Sequence, residues 1–325
     1  MNKELEIWRF AAARLERDER LMLLTVAESS GSSPGRPGFK MVVAADDLAG
    51  SIGGGVMEVR LVELAKLKIK NEELKIDSEI VEQVHRKNSP DSSGMICSGK
   101  QTVVFFELNP AHLNEVRKIV AALENRRPEK LRITNYELRI EENSPEGGTQ
   151  NEDFSFHRTS ENEFVYEERL GFKNKLFIVG GGHCALALSE LMAKMDFHIA
   201  LFDDRADLNT LAKNEFAHEK KIIESYAQIG EFIPSGKNNY VVVMTLGYKF
   251  DEIVIRSLFD KDFKYFGVLG SRAKMKTLLK TLEKEGFDKK RLARIRTPIG
   301  LKINSRTPPE IAVSIAAEII AVKNS

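Results

Sequence analysis

Two glycine-rich turns and one cysteine carry the residues of this chain that could do chemistry. In Lys175-Leu-Phe-Ile-Val-Gly180-Gly-Gly182-His183-Cys184-Ala185 an apolar run ends in glycines and continues into a helical pattern. Gly180 and Gly182 would let the backbone turn tightly and approach a phosphate, with the free N–H groups of the helix start aimed at the anion. Asp203 follows about twenty residues on, at the end of His198-Ile-Ala-Leu-Phe, where a second strand would present an acid to a ribose diol. An acid there favours NAD over a 2′-phosphorylated cofactor; the plainer alternative is a surface acid that ends a strand. His183 would either donate to a bound phosphate or cap and pack the helix. Cys184 reads as a small buried hydrophobe.

Ser51-Ile-Gly53-Gly54-Gly55 precedes another helical pattern and offers a second backbone anion site, or simply a tight turn. No Lys-Ser/Thr pair follows it, so it is not a P-loop. Arg36 lies in the polar loop between Ser29 and Gly38, able to meet an anion or merely to be solvated. Gly31-Ser-Ser33-Pro-Gly35 fits the nucleophile-elbow spacing, but prolines and a strand follow it rather than a helix, which excludes that reading. Cys97, in Gly94-Met-Ile-Cys97-Ser-Gly99, is a thiol in a glycine-flanked turn, open to metal, sulfur or cofactor ligation if its pKa is lowered. Ser271 and Arg272 follow Gly267-Val-Leu-Gly270 at a strand-to-helix junction, which in an open α/β sheet is the ligand-binding edge. Zinc-hydrolase, CxxC and catalytic-triad patterns are missing, so no catalytic residue and no metal ligand is assigned.

These loops must be positioned by strands and helices. From Lys173 onward strand patterns at 175–180, 198–203, 219–223, 240–245 and 264–269, with a short one near 294–297, alternate with helical patterns at 184–195, 206–213, 249–259, 272–285 and 308–322. Alternation of this kind predicts a doubly wound parallel sheet of Rossmann type. Upstream, a helix over 3–18, strands after Arg20 and Phe39, a turn over 46–50, a helix over 56–70 and a strand over 101–108 predict a smaller N-terminal α/β domain. A helix over 112–123 and alternating patterns between 131 and 168 predict a connector with antiparallel strands, of β-hairpin type. The expected division is 1–110, 111–171 and 172–325.

With 325 residues and a net charge of +1, the chain carries no general electrostatic pull toward nucleic acid or membrane. Two cysteines give no disulfide framework. The charged start lacks a signal-peptide core and no run could span a bilayer, so a cytoplasmic protein is expected.

The ordered motifs Gly31-Ser-Ser-Pro, Gly50-Ser-Ile-Gly-Gly-Gly-Val-Met-Glu58, the Cys97 turn, Gly180-Gly-Gly-His, Asp203-Asp-Arg205, Val242-Val-Met-Thr245, Gly270-Ser-Arg272 and Pro298-Ile-Gly-Leu301 through Glu318 resemble the XdhC/CoxI family. These are maturation factors of xanthine and carbon-monoxide dehydrogenases. The resemblance implies a chaperone that binds molybdenum cofactor, assists its sulfuration and inserts it into an apo xanthine dehydrogenase-type molybdoenzyme. It implies an accessory factor rather than an enzyme, with a cysteine desulfurase as a second partner and Cys97 holding the cofactor; a homodimer is also expected. Cofactor contacts are expected at Cys97, Arg36, Gly53, Gly54, Gly55, Gly180, Gly182, His183, Asp203, Ser271 and Arg272. The chain departs from the family pattern at Ser98, Leu246, Lys302 and Asn304, where glycine, histidine and the Asp and Gly of Ile-Gly-Leu-Asp-Ile-Gly are usual. Two rival readings are an NAD-dependent oxidoreductase and a diverged nucleotide-fold regulatory protein.

Overall fold

A computed structural model describes residues 3–71, 76–84, 99–125, 127, 129–142, 153–160, 163–195 and 197–325. The chain divides into two compact units, Met1–Gly171 and Phe172–Ser325.

In the first unit α1 (Lys3–Leu15) precedes β1 (Leu21–Gly31), β2 (Lys40–Val43) and β3 (Leu48–Gly50), then α2 (Gly55–Lys70), β4 (Ser78–Val84) and β5 (Gly99–Leu108). The five strands form one antiparallel sheet in the order β3-β2-β1-β5-β4. Residues 48–50 are therefore an edge strand, not the turn expected over 46–50; Ala49 and Gly50 pair with Val42 and Met41. α3 (Leu113–Glu124) leads into β6 (Glu129–Thr134), β7 (Leu138–Glu142), β8 (Phe154–Arg158) and β9 (Phe164–Arg169), a second antiparallel sheet ordered β7-β6-β9-β8.

Alternation along β1 and β5 sends successive side chains to opposite faces of the first sheet. Leu21, Leu23, Val104, Phe106 and Leu108 join Trp8 of α1, Ile119 of α3 and Leu131, Ile133, Phe164 and Tyr166 of the second sheet in one core. Met22, Leu24, Val26, Val103 and Phe105 pack on the other face against Leu61 and Ala65 of α2. Residues 111–171 thus share a core with residues 7–108. A buried ion cluster pins the two sheets together: Lys40 Nζ on β2 contacts the carboxylates of Glu168 on β9 and Glu4 on α1, and the Tyr166 hydroxyl donates to Glu168.

The second unit begins with β10 (Asn174–Val179), α4 (His183–Met192), β11 (Phe197–Asp203), α5 (Asn209–Ala212), β12 (Glu219–Ile222) and α6 (Ile229–Phe232). It continues with β13 (Gly236–Val243), α7 (Tyr248–Leu258), β14 (Phe263–Val268), α8 (Arg272–Lys284), α9 (Lys289–Leu292) and α10 (Pro308–Lys323). All strand pairs are parallel and the order is β12-β11-β10-β13-β14. One further parallel bridge, Gly267 to Arg296, lies where a short strand was expected near 294–297. Both faces of this sheet are covered, one by α6, α7 and α8, the other by α4 and α10, so its strands read as continuous apolar runs. The strand order reverses between β10 and β13, and the crevice at the carboxyl ends of those strands is where such sheets bind ligands.

Candidate functional site

Ser51–Gly55 joins β3 to α2 and needs glycine for its backbone. Gly53, Gly54 and Gly55 all have positive φ, and a Cβ on Gly53 would lie 2.5 Å from the Gly35 nitrogen. The anion this turn should attract is supplied from within the chain. Glu58 Oε2, one turn into α2, accepts from Ile52 N at 2.8 Å, Gly54 N at 2.9 Å and Ser51 Oγ at 2.7 Å. Arg36 also turns inward, its Nη1 donating to the carbonyls of Ser33 and Gly35. Gln101 links the same two loops, accepting from Ser33 Oγ at 2.9 Å and donating to the Ile52 carbonyl at 3.0 Å. Arg36 and Gly53–Gly55 therefore sit in one hydrogen-bonded corner. Cys97 lies outside the described residues; the chain is next described at Gly99, which pairs with Gly31.

The turn between β10 and α4 is built differently on each of its three glycines. Gly180 (φ 107°) packs on the end of β13, where a Cβ would lie 2.3 Å from the Met244 carbonyl oxygen. Gly181 is fixed on both sides: its N–H donates to Asp203 Oδ2 at 2.6 Å and its carbonyl accepts from Thr210 Oγ1 at 2.6 Å. Gly182 is extended, and a Cβ there would meet nothing within 4 Å. Gly182 also leaves α4 without a side-chain cap, so the first amides of the helix face the open space over the loop. His183, the first residue of α4, is exposed. Cys184 packs against the core and burial pushes its thiol up, away from thiolate chemistry.

Asp203 is fully buried and both of its oxygens are engaged. Oδ2 takes Gly181 N and Arg205 Nη2, the latter at 2.8 Å, and Oδ1 takes Arg205 N at 2.9 Å and Nε at 2.8 Å. Burial acts to raise this carboxyl, but the Arg205 guanidinium and the two backbone amides outweigh it and hold it below the usual carboxylate range. As placed, Asp203 clamps the glycine turn to the end of β11 and leaves no oxygen free for a ribose diol.

Along the same carboxyl edge, Thr245 Oγ1 after β13 donates to the buried Asp251 Oδ1 of α7 at 2.6 Å. Burial raises the Asp251 carboxyl against that hydrogen bond. Leu246, next in the chain, is 74% exposed. After β14, Ser271 caps α8 by accepting from Lys274 N at 3.5 Å. Arg272 is exposed and has no ion-pair partner among the described residues. Gly180, Gly182, His183 and Asp203 thus meet in one turn, with Ser271 and Arg272 on the same sheet edge two strands away.

The residues that organise these turns were not singled out by sequence reasoning. Glu58 and Arg205 stand inside the motifs Gly50–Glu58 and Asp203–Arg205, and an acid three residues past Gly55, in the first turn of a helix, was the available signal. Thr210 and Asp251 carried none.

Among the described residues no group of histidine, cysteine or acidic side chains is arranged to hold a metal ion, and no helix is long and apolar enough to cross a membrane.

Residues 176–319 match the XdhC Rossmann domain, and residues 14–75 match the XdhC and CoxI family. An uncharacterized protein, YqeB, of Escherichia coli is 29% identical over 48% of this chain and 28% of its own length. A probable xanthine dehydrogenase subunit from Bacillus subtilis is 30% identical over 49% of this chain and 46% of its own length. The chain therefore spans less than half the length of either curated relative. A crystal structure described as a xanthine dehydrogenase from Bacillus halodurans superposes with a TM-score of 0.71 at 19% identity, covering 100% of this chain and 96% of that one, which establishes a shared fold. The two profile matches together cover more than half of the sequence, in the order read from its motifs, and the chain belongs to the XdhC and CoxI family.

Proposed function

We propose that this chain is a maturation factor that binds molybdenum cofactor, assists its sulfuration and delivers it to a xanthine dehydrogenase-type molybdoenzyme. Family membership supports the association with such enzymes. The observation that carries the cofactor reading is the uncapped start of α4 over the strand-order reversal, with open space at Gly182 and, along the edge, an Arg272 that has no ion-pair partner among the described residues. Molybdenum cofactor bears a phosphate, and backbone amides at a helix start with a nearby guanidinium suit it. In this reading Gly182, His183 and Arg272 take the phosphate end, while Gly180, Asp203 and Ser271 shape and hold the turns. The group itself supplies a metal and soft sulfur ligands, which a thiolate such as that of Cys97 suits.

Arg36 and Gly53–Gly55 hold the first turn in shape rather than a second anion, because Glu58 already occupies that cradle. A carrier rather than a catalyst fits a crevice in which the acid that touches the glycine turn, Asp203, is tied up by Arg205, while Asp251 on the same edge is held by Thr245. NAD is disfavoured as ligand by the same engagement of Asp203. A cysteine desulfurase, a homodimeric state and a cytoplasmic location belong to the same proposal.

The test is mass spectrometry of the small molecules retained by the chain purified from cells that make the cofactor. Molybdopterin bound to the parent chain, and much less of it on Cys97→Ser, is the expected result. Retained NAD with no pterin would contradict the reading.

A further inference from the structure

β14 is the last strand of the parallel sheet, and its outer side is paired only in part. Arg296 N donates to Phe266 O at 2.8 Å and Val268 N donates to Arg296 O at 2.9 Å. In a strand, successive residues present their amides to opposite sides, so Phe266 faces outward with Val268. At the irregular start of the pairing Gly236 N donates to the Asp262 carbonyl and Gly236 opposes Phe263, which turns the Lys264 N–H inward to β13. The C=O of Lys264 and the N–H of Phe266 lie on the outer side, where no further backbone bond is made among the described residues. Upstream of Arg296 the chain swings away from β14, and between the two lies a cleft of about 750 Å³.

The walls of that cleft are basic. Lys264, Arg294 and Arg296 are exposed on it, and Lys264 has no ion-pair partner among the described residues. Lys261 and Arg291 also line it but are engaged by backbone carbonyls of Gly230, Ile233 and Phe259. Two acids face the same space. Glu318 is committed to the Tyr265 hydroxyl at 2.6 Å and Gly300 N at 2.8 Å, and meets Arg296 at only 3.3 Å. Asp262 reaches Arg294 at 3.2 Å from an exposed position, a contact solvent already weakens.

A single edge lysine commonly guards a strand against self-pairing. Here two arginines stand opposite it, so the edge offers ladder hydrogen bonds between walls of net positive charge. A second copy of the same edge would bring like charges together. An extended acidic chain satisfies both the ladder and the charge.

We propose that the outer edge of β14 and the facing segment around Arg294 and Arg296 form a docking groove for an extended, acidic segment of a partner protein, added as a strand beside Lys264 and Phe266. This surface is separate from the α4 crevice and does not depend on the cofactor reading.

The test uses the full chain and a fluorescein-labelled hexapeptide of alternating glutamate and valine, followed by fluorescence anisotropy at low and high salt. Saturable, salt-weakened binding is expected, at least tenfold weaker for a peptide N-methylated on the alternate residues that would face β14. Lys264→Glu combined with Arg294→Glu should weaken it at least tenfold. Thermal melts check that this double variant is folded. No saturable binding, equal binding of the N-methylated peptide, or displacement by equimolar pyrophosphate would overturn the proposal. The N-methylated arm needs no variant of the chain, so misfolding cannot mask the outcome.

Discussion

The carboxylate of Glu58 lies 2.9 Å from the backbone nitrogen of Gly54, inside the turn that a phosphate would be expected to enter. The same oxygen also accepts Ile52 N and Ser51 Oγ, so one side chain satisfies three donors. The second turn has a counterpart in Asp203, which accepts Gly181 N. The two differ in what remains. Around Gly54 the internal acid occupies the turn itself, whereas Asp203 fixes one amide from beneath and leaves the α4 start open.

Removing the Glu58 side chain therefore has a specific consequence. Glu58→Ala should lower stability by about 1–3 kcal/mol, the range for stranding partly buried donors of a charged acceptor. Urea unfolding read on the first unit measures it. Added inorganic phosphate should recover part of the loss in the variant, by filling the vacated cradle, and should leave the parent chain unchanged.

Asp203 and Arg205 make the stability of the second unit sensitive to acid. A carboxyl held below its unfolded pKa stabilises the fold above the ordinary carboxylate range, and that contribution is lost as pH falls through the folded value. Arg205→Met removes the main depressing influence and leaves burial, which raises the carboxyl. The acid-unfolding midpoint, followed by circular dichroism, should move to higher pH in this variant.

Gly180 and Gly182 should respond oppositely to alanine. At Gly180 the new Cβ would collide with Met244 O in a backbone conformation that disfavours side chains, costing upward of about 1–3 kcal/mol. At Gly182 the methyl group meets only open space, so the melting temperature should hold. Because that space is where the proposed phosphate would sit, Gly182→Ala should still reduce cofactor retention. A thermal melt and a retention assay on both variants separate scaffold from site.

The Lys40 cluster gives a test of how the first unit is held together. Lys40→Met removes the ammonium that contacts both Glu168 and Glu4 in this buried cluster. Breaking a buried pair from one side costs about 3–5 kcal/mol, measurable by denaturant unfolding. Adding Glu168→Gln should return part of that loss.

Much of this architecture is legible in the sequence because the second unit repeats one signal. Apolar runs ending at Val179, Asp203, Val243 and Val268 each stop where glycine, acid or threonine begins, and each proves to be a parallel strand buried on both faces. The edge elements were harder to see. Leu48–Gly50 is only three residues long and reads as a turn. Ser78–Val84 mixes glutamates with β-branched residues because one side of an edge strand meets solvent. The glycine turns themselves were visible as anion cradles, but their internal occupants were not. Glu58 closes its turn from only a few residues away, a local signal, whereas Asp203 reaches Gly181 from the neighbouring strand through tertiary geometry that spacing alone does not encode. Asp203 illustrates the point: its position matches a ribose-binding acid, and only the Arg205 hydrogen bonds reveal that its oxygens are already engaged.

Cofactor retention through gel filtration, compared between the parent chain, Arg272→Ala and Gly182→Ala, tests the proposed phosphate seat most directly. Molybdenum cofactor should co-elute with the parent chain and be reduced at least severalfold in both variants, while their melting temperatures stay unchanged. Retention that is absent from the parent chain, or equal in all three, would contradict a phosphate seat at the start of α4.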